Sequence, residues 1–130
     1  MTVIDSSAII AILENEPERA RFNQLIDQAE ARLLSAVGRV ECTIVMEGRK
    51  RESGRLVLEL FLREAGVEVA GVTPDQAVLA CEAFRRFGKG RHPAGLNLGD
   101  CFSYALAQST GEPLPFKGND FGMTDVRRVA

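Results

Sequence analysis

Four acids stand at positions where a carboxylate is out of place unless it has work to do: Asp5, Glu41, Asp100 and Asp120. Asp5 directly follows a short β-rich run, Thr2-Val3-Ile4, although Asp is a poor strand residue. It can equally cap the helix that follows. Glu41 falls inside the apolar stripe that Val37, Val40, Ile44 and Val45 form at helical spacing. A lone carboxylate buried there must neutralise or find a partner. Asp100 lies three residues after Asn97, the spacing of a capping box, so it too has a structural reading. Asp120 ends Lys117-Gly118-Asn119-Asp120, which also suits an Asx turn. Glu47 reads as part of a solvated face, and Asp125, after Thr124, as a further turn or cap.

The elements that must position these acids alternate. Short strands are expected at 2–4, 32–35, 67–69 and 112–116, with a possible fifth at 126–129. Between them the pattern predicts a buried helix over 8–13, a helix opened by Pro17, helices over 37–51 and 53–64 ended by Gly66, one from Thr73-Pro74-Asp75 to Phe87, and one over 98–110. Strands separated by helices imply parallel pairing and crossovers, hence a three-layer α/β/α sandwich with a mostly parallel sheet of four to five strands. Ligands of such sheets bind beyond the carboxyl ends of the strands. All four acids fall at that edge. Carboxylates converging there repel one another unless a hard divalent cation, magnesium or manganese, sits among them.

Composition narrows the choice. The 130 residues fit one domain over 1–130, 45% hydrophobic and 26% charged. Sixteen basic against eighteen acidic side chains exclude a bulk-electrostatic nucleic-acid binder, though not a nucleic-acid enzyme. Cys42, Cys81 and Cys101 are odd in number and far apart, and read as small buried hydrophobes in a reducing cytosol. With one histidine, a zinc site is not expected. No apolar run approaches the ~18 residues of a membrane span, and the start lacks the basic region of a signal peptide, so a cytoplasmic protein without a membrane partner is expected.

Four segments carry a resemblance: Val-Ile-Asp5-Ser-Ser-Ala, Leu-Ser-Ala-Val-Gly-Arg-Val-Glu41, His-Pro-Ala-Gly-Leu-Asn97-Leu-Gly-Asp100-Cys-Phe-Ser-Tyr-Ala-Leu-Ala, and Pro-Leu-Pro-Phe-Lys-Gly-Asn-Asp120-Phe. In this order they resemble PIN-domain ribonucleases, and among these the VapC toxins of bacterial toxin–antitoxin pairs. The resemblance implies a magnesium-dependent endoribonuclease in which manganese can substitute. It places catalytic acids at Asp5, Glu41, Asp100 and Asp120, with Asp5 and Asp100 on the metal. It also implies an RNA substrate, a homodimer and a cognate VapB-like antitoxin. Asp125 matches a recurrent acid of less settled role. Within this frame Arg91 and Lys117 are the expected phosphate contacts, while Arg49, Lys50 and Arg51 complement a helix dipole. Three departures stand out: Gly38 where Thr or Ser is common, Leu98 for Phe, and Pro115 inside the fourth strand. The competing readings are a phospho-receiver, which expects an acceptor Asp after a middle strand where this chain has Val69-Ala70-Gly71, and a non-catalytic PIN-like binding module.

Overall fold

The computed structural model describes residues 2–112, Leu114 and Asp125. The elements run β1 (Thr2–Val3), α1 (Ser6–Leu13), α2 (Arg19–Gln28), β2 (Arg32–Ser35), α3 (Ala36–Glu64), β3 (Val67–Ala70), α4 (Pro74–Phe87) and α5 (Leu98–Thr110). The described sheet is parallel, in the order β1-β2-β3, with Val3 opposite Leu33 and Leu33 opposite Glu68. The expected fourth and fifth strands fall largely or wholly outside the described residues, as do Asp120 and Lys117.

Strand alternation builds the three layers. Val3 and Leu33 point to one face, where Ala80, Ala83 and Phe87 of α4 and Tyr104 and Leu106 of α5 cover them. Ile4 and Leu34 point to the other, against Ile9 of α1, Phe22 and Ile26 of α2, and Cys42, Met46 and Leu58 of α3. Each fully buried large side chain contributes about 1.5–3 kcal/mol. Caps fix the helix starts. Ser35 accepts from the Val37 amide and Thr73 from the Gln76 amide, with Pro74 in the first turn of α4. Pro17 does not open α2, which begins at Arg19 after a turn.

The long helix α3 is broken, as the two expected helices require. Arg51 adopts φ 55°, ψ −134° inside it. Just beyond the break, Gly54 packs so closely that a Cβ would lie 2.1 Å from the Met46 carbonyl oxygen. Only glycine fits that approach.

Which face of α3 is buried corrects the sequence expectation. Val40 and Ile44 are 57% and 67% exposed, while Gly38, Cys42 and Met46 face the core. The Val37–Val40–Ile44 stripe is real but points outward. Gly38 belongs to the packed face, since a Cβ on it would meet Leu34 Cδ1 at 2.9 Å. Of the cysteines, Cys42 and Cys101 are buried and Cys81 is exposed on α4. No helix among the described residues is long and apolar enough to cross a membrane.

Candidate active site

The loop leaving β1 delivers Asp5 to the carboxyl edge of the sheet. Asp5 is only 1% exposed. Its Oδ2 accepts from the Ser7 amide at 2.9 Å, so it does cap α1. Its Oδ1 accepts from Ser103 Oγ at 2.6 Å, a bond that ties the start of the chain to α5. The two readings of Asp5 therefore coexist: one residue caps a helix and presents a buried carboxylate.

Glu41 reaches the same place from the first half of α3. Ser6 Oγ donates to its Oε1 at 2.6 Å. Burial raises its carboxyl above the usual range, and the Asp5 charge raises it further, against the lowering effect of the Ser6 bond. Gly99 makes room for it, since a Cβ there would lie 2.2 Å from Glu41 Oε1 and 2.3 Å from Oε2.

Asp100 stands in the first turn of α5. Its Oδ2 accepts from the Asn97 amide at 3.0 Å and its own amide donates to Asn97 Oδ1 at 2.9 Å, a complete capping box. The cap expected from the spacing of Asn97 and Asp100 is present.

Asp5, Glu41 and Asp100 line one open cavity of about 320 Å³, together with Asn97, Glu16 and Arg49. Among the described residues no three acidic, histidine or cysteine side chains sit close enough to form a ready-made metal cage. The donor set is nonetheless all hard oxygen, and Glu41 is held up in part by the charge of its neighbour Asp5. Such a set fits a magnesium-like cation, which relieves that repulsion, and does not fit a soft metal.

Sequence reasoning gave no site role to five residues here, one of which, Arg49, it read only as a helix-dipole partner. Ser6 and Ser103 orient the carboxylates. Gly99 admits Glu41, and Glu16 and Arg49 line the cavity. Ser103 was findable, being a polar residue on an otherwise apolar helix face. The others carry no local signal.

The basic residues divide differently from expectation. Arg91 does not line the cavity; its guanidinium lies over the Phe84 ring at 5.0 Å. His92 takes a backbone role, its Nδ1 accepting from the Ala94 amide at 3.0 Å and its ring meeting Phe87 edge-on. Asp125 is also outside the cavity. Tyr104 Oη donates to its Oδ1 at 2.5 Å, Gln108 Nε2 donates at 3.2 Å, and Arg86 pairs with Oδ2 at 3.2 Å. Burial and the Asp125 bond push the Tyr104 hydroxyl up to about 12.

The chain is similar to known proteins in sequence and in fold. The PIN domain family matches residues 2–126. Ribonuclease VapC30 of Mycobacterium tuberculosis is 48% identical over 128 residues, covering 98% of each chain. Ribonuclease VapC of Mycolicibacterium smegmatis is 48% identical over 127 residues, again covering 98% of each. The fold is similar to that of Mycobacterium tuberculosis VapC20, a toxin that cleaves the sarcin-ricin loop, with TM-score 0.79, 17% identity and coverage of 99% of this chain and 98% of that one. It is also similar to DNA-bound VapBC from Salmonella typhimurium, with TM-score 0.75, 20% identity and coverage of 99% and 96%. A family match over nearly the whole chain and relatives at 48% identity lead to one conclusion: the chain belongs to the PIN-domain family, within its VapC group.

Proposed function

We propose that this protein is a metal-dependent endoribonuclease toxin that hydrolyses RNA phosphodiester bonds at the Asp5–Glu41–Asp100 cavity. The observation that carries the reading is the convergence of three carboxylates, from the loop after β1, from α3 and from α5, on one cavity at the carboxyl edge of the sheet. The identity of 48% to ribonucleases supports the reaction class.

Asp5 and Asp100 are the residues that would hold the cation, with Glu41 and Asp120 completing the acid set. A magnesium ion bound there supplies water of lowered pKa and offsets charge on the phosphate; manganese has the same ligand preferences. The chain's own groups do the rest. Ser103 and the Ser7 amide fix both oxygens of Asp5, so its carboxylate does not reorient on binding. The capping box holds Asp100 at the amino end of α5, where the helix dipole favours its charged form. Ser6 steers Glu41, the group of raised proton affinity, into the cavity. Attack by water, and not by the RNA's own 2′-hydroxyl, would leave 5′-phosphate and 3′-hydroxyl ends; 2′,3′-cyclic phosphates would exclude it.

Two partners complete the proposal. A VapB-like antitoxin is the natural silencer of a protein in this group. A second copy of the chain would cover the outward apolar face of Val40, Ile44 and Leu98, which are 57%, 67% and 72% exposed and adjoin one another beside Glu41. Ile44→Asp is expected to give a monomer in sedimentation.

The deciding experiment is cleavage of total RNA by the purified, antitoxin-free protein in magnesium or manganese, with EDTA and Asp100→Asn as controls. Discrete fragments lost in both controls establish the activity. Fragments that persist in Asp100→Asn refute this assignment of the site.

A further inference from the structure

We infer that Arg49 is a substrate-binding residue that grips an RNA phosphate next to the one being cut. The inference rests on the reading of the cavity as a ribonuclease site. Glu41, Val45 and Arg49 follow one another at intervals of four along α3, and all three line the acid cavity. Residues so spaced lie on one helix face. At 1.5 Å per residue, the Arg49 backbone is about 12 Å along the axis from that of Glu41. Helical side chains lean towards the amino end, so the Arg49 side chain leans back along the cavity towards Glu41. Arg49 thus lines the cavity about two turns of α3 beyond Glu41.

The guanidinium is also available. Its side chain is 56% exposed and approaches Glu14 Oε1 only to 4.0 Å. Glu14 Oε1 is buried and takes no hydrogen bond, so this contact leaves the donors of Arg49 unspent. Two other arginines are engaged: Arg91 lies over the Phe84 ring, and Arg86 is paired with Asp125 and lies over the Phe87 ring. An acid cavity repels a polyanion wherever a cation does not offset it. A planar fork of donors at its rim is the group that recognises a second phosphate.

The test uses Asp100→Asn protein, which is expected not to cut, with a fluorescein-labelled single-stranded RNA of mixed sequence in millimolar magnesium. Binding is followed by anisotropy at several salt concentrations. Adding Arg49→Ala is expected to weaken binding by about tenfold and to flatten the slope of log affinity against log salt by about 0.7, the signature of one lost phosphate contact on a single strand. Arg49→Lys keeps the slope. Glu14→Gln serves as the structural control. If Arg49→Ala and Glu14→Gln lower thermal stability alike and neither changes the slope, Arg49 only staples α3 to α1 and the inference is overturned. If otherwise wild-type protein cuts no RNA in either metal, the ribonuclease reading fails, and the inference with it. If it cuts while the Arg49→Ala slope is unchanged, the inference alone fails.

Discussion

Glu41 and Gly99 are complementary shapes. The carboxylate occupies the space where any other residue at position 99 would place its Cβ, 2.2 Å from Oε1. The neighbouring atoms are the far end of a flexible side chain, so Gly99→Ala is accommodated by swinging Glu41 away. Ala also favours a helix over Gly by about 1 kcal/mol. The expected variant is therefore folded, at least as stable as wild type, and at least tenfold slower in RNA cleavage. Undiminished cleavage would show that the Glu41 position is not needed.

Ser103 donates to an almost fully buried Asp5 oxygen. Ser103→Ala leaves that oxygen without its donor at a cost of about 1–3 kcal/mol, read from urea unfolding. Ser109→Ala is the control. Ser109 is exposed and bonds only the Leu106 carbonyl of its own helix, so its loss is expected to stay within about 0.5 kcal/mol.

Metal binding is measurable without RNA. Manganese is expected to raise the melting temperature of wild type in a concentration-dependent way, because a ligand bound only by the folded state stabilises it. Asp5→Asn and Asp100→Asn lose that response. If both still respond as wild type does, these acids are caps and not ligands.

Asp125 sets a pH dependence. Burial raises its carboxyl, but the Tyr104 bond and the Arg86 charge outweigh it, and the net shift is downward. A carboxyl lowered on folding stabilises the protein above its unfolded pKa, and that contribution is lost as pH falls through the folded value. Asp125→Asn is thus expected to be less stable than wild type at pH 7, with the gap closing below about pH 4. A gap independent of pH would mean that the amide loses packing and not charge.

The thiols should differ sharply. Burial pushes Cys42 up to about 12 and Cys101 up to about 11, while Cys81 is exposed. A thiol reagent applied to the native protein is expected to modify Cys81 alone, with the other two reacting only after unfolding. Mass spectrometry of the labelled peptides reads this directly.

The sequence was most legible where local chemistry decides. Asn97 and Asp100 were readable as a capping box because three-residue spacing and residue type suffice. The break in α3 was readable from the change of pattern near Ser53. The buried face of α3 was not, because the packed positions are Gly38 and Cys42, whose small size permits close approach but gives little hydrophobic signal beside Val40 and Ile44. The place of Arg91 over Phe84 was not legible for a related reason: separation in sequence says nothing of a ring contact. Arg49 was read as a dipole partner because helix-end position is a local fact, whereas the cavity it faces is assembled from three other elements.

The Asp5–Ser103 bond spans 98 positions of the chain, and the Ser6–Glu41 bond spans 35. A chain growing from its amino end thus carries the first two acids early, but has neither Asp100 nor the hydroxyl that orients Asp5 until α5 is made. Every shorter nascent fragment lacks a complete pocket. The acid pocket is therefore completed only once α5 has been made, so its assembly is a late event in the growth of the chain.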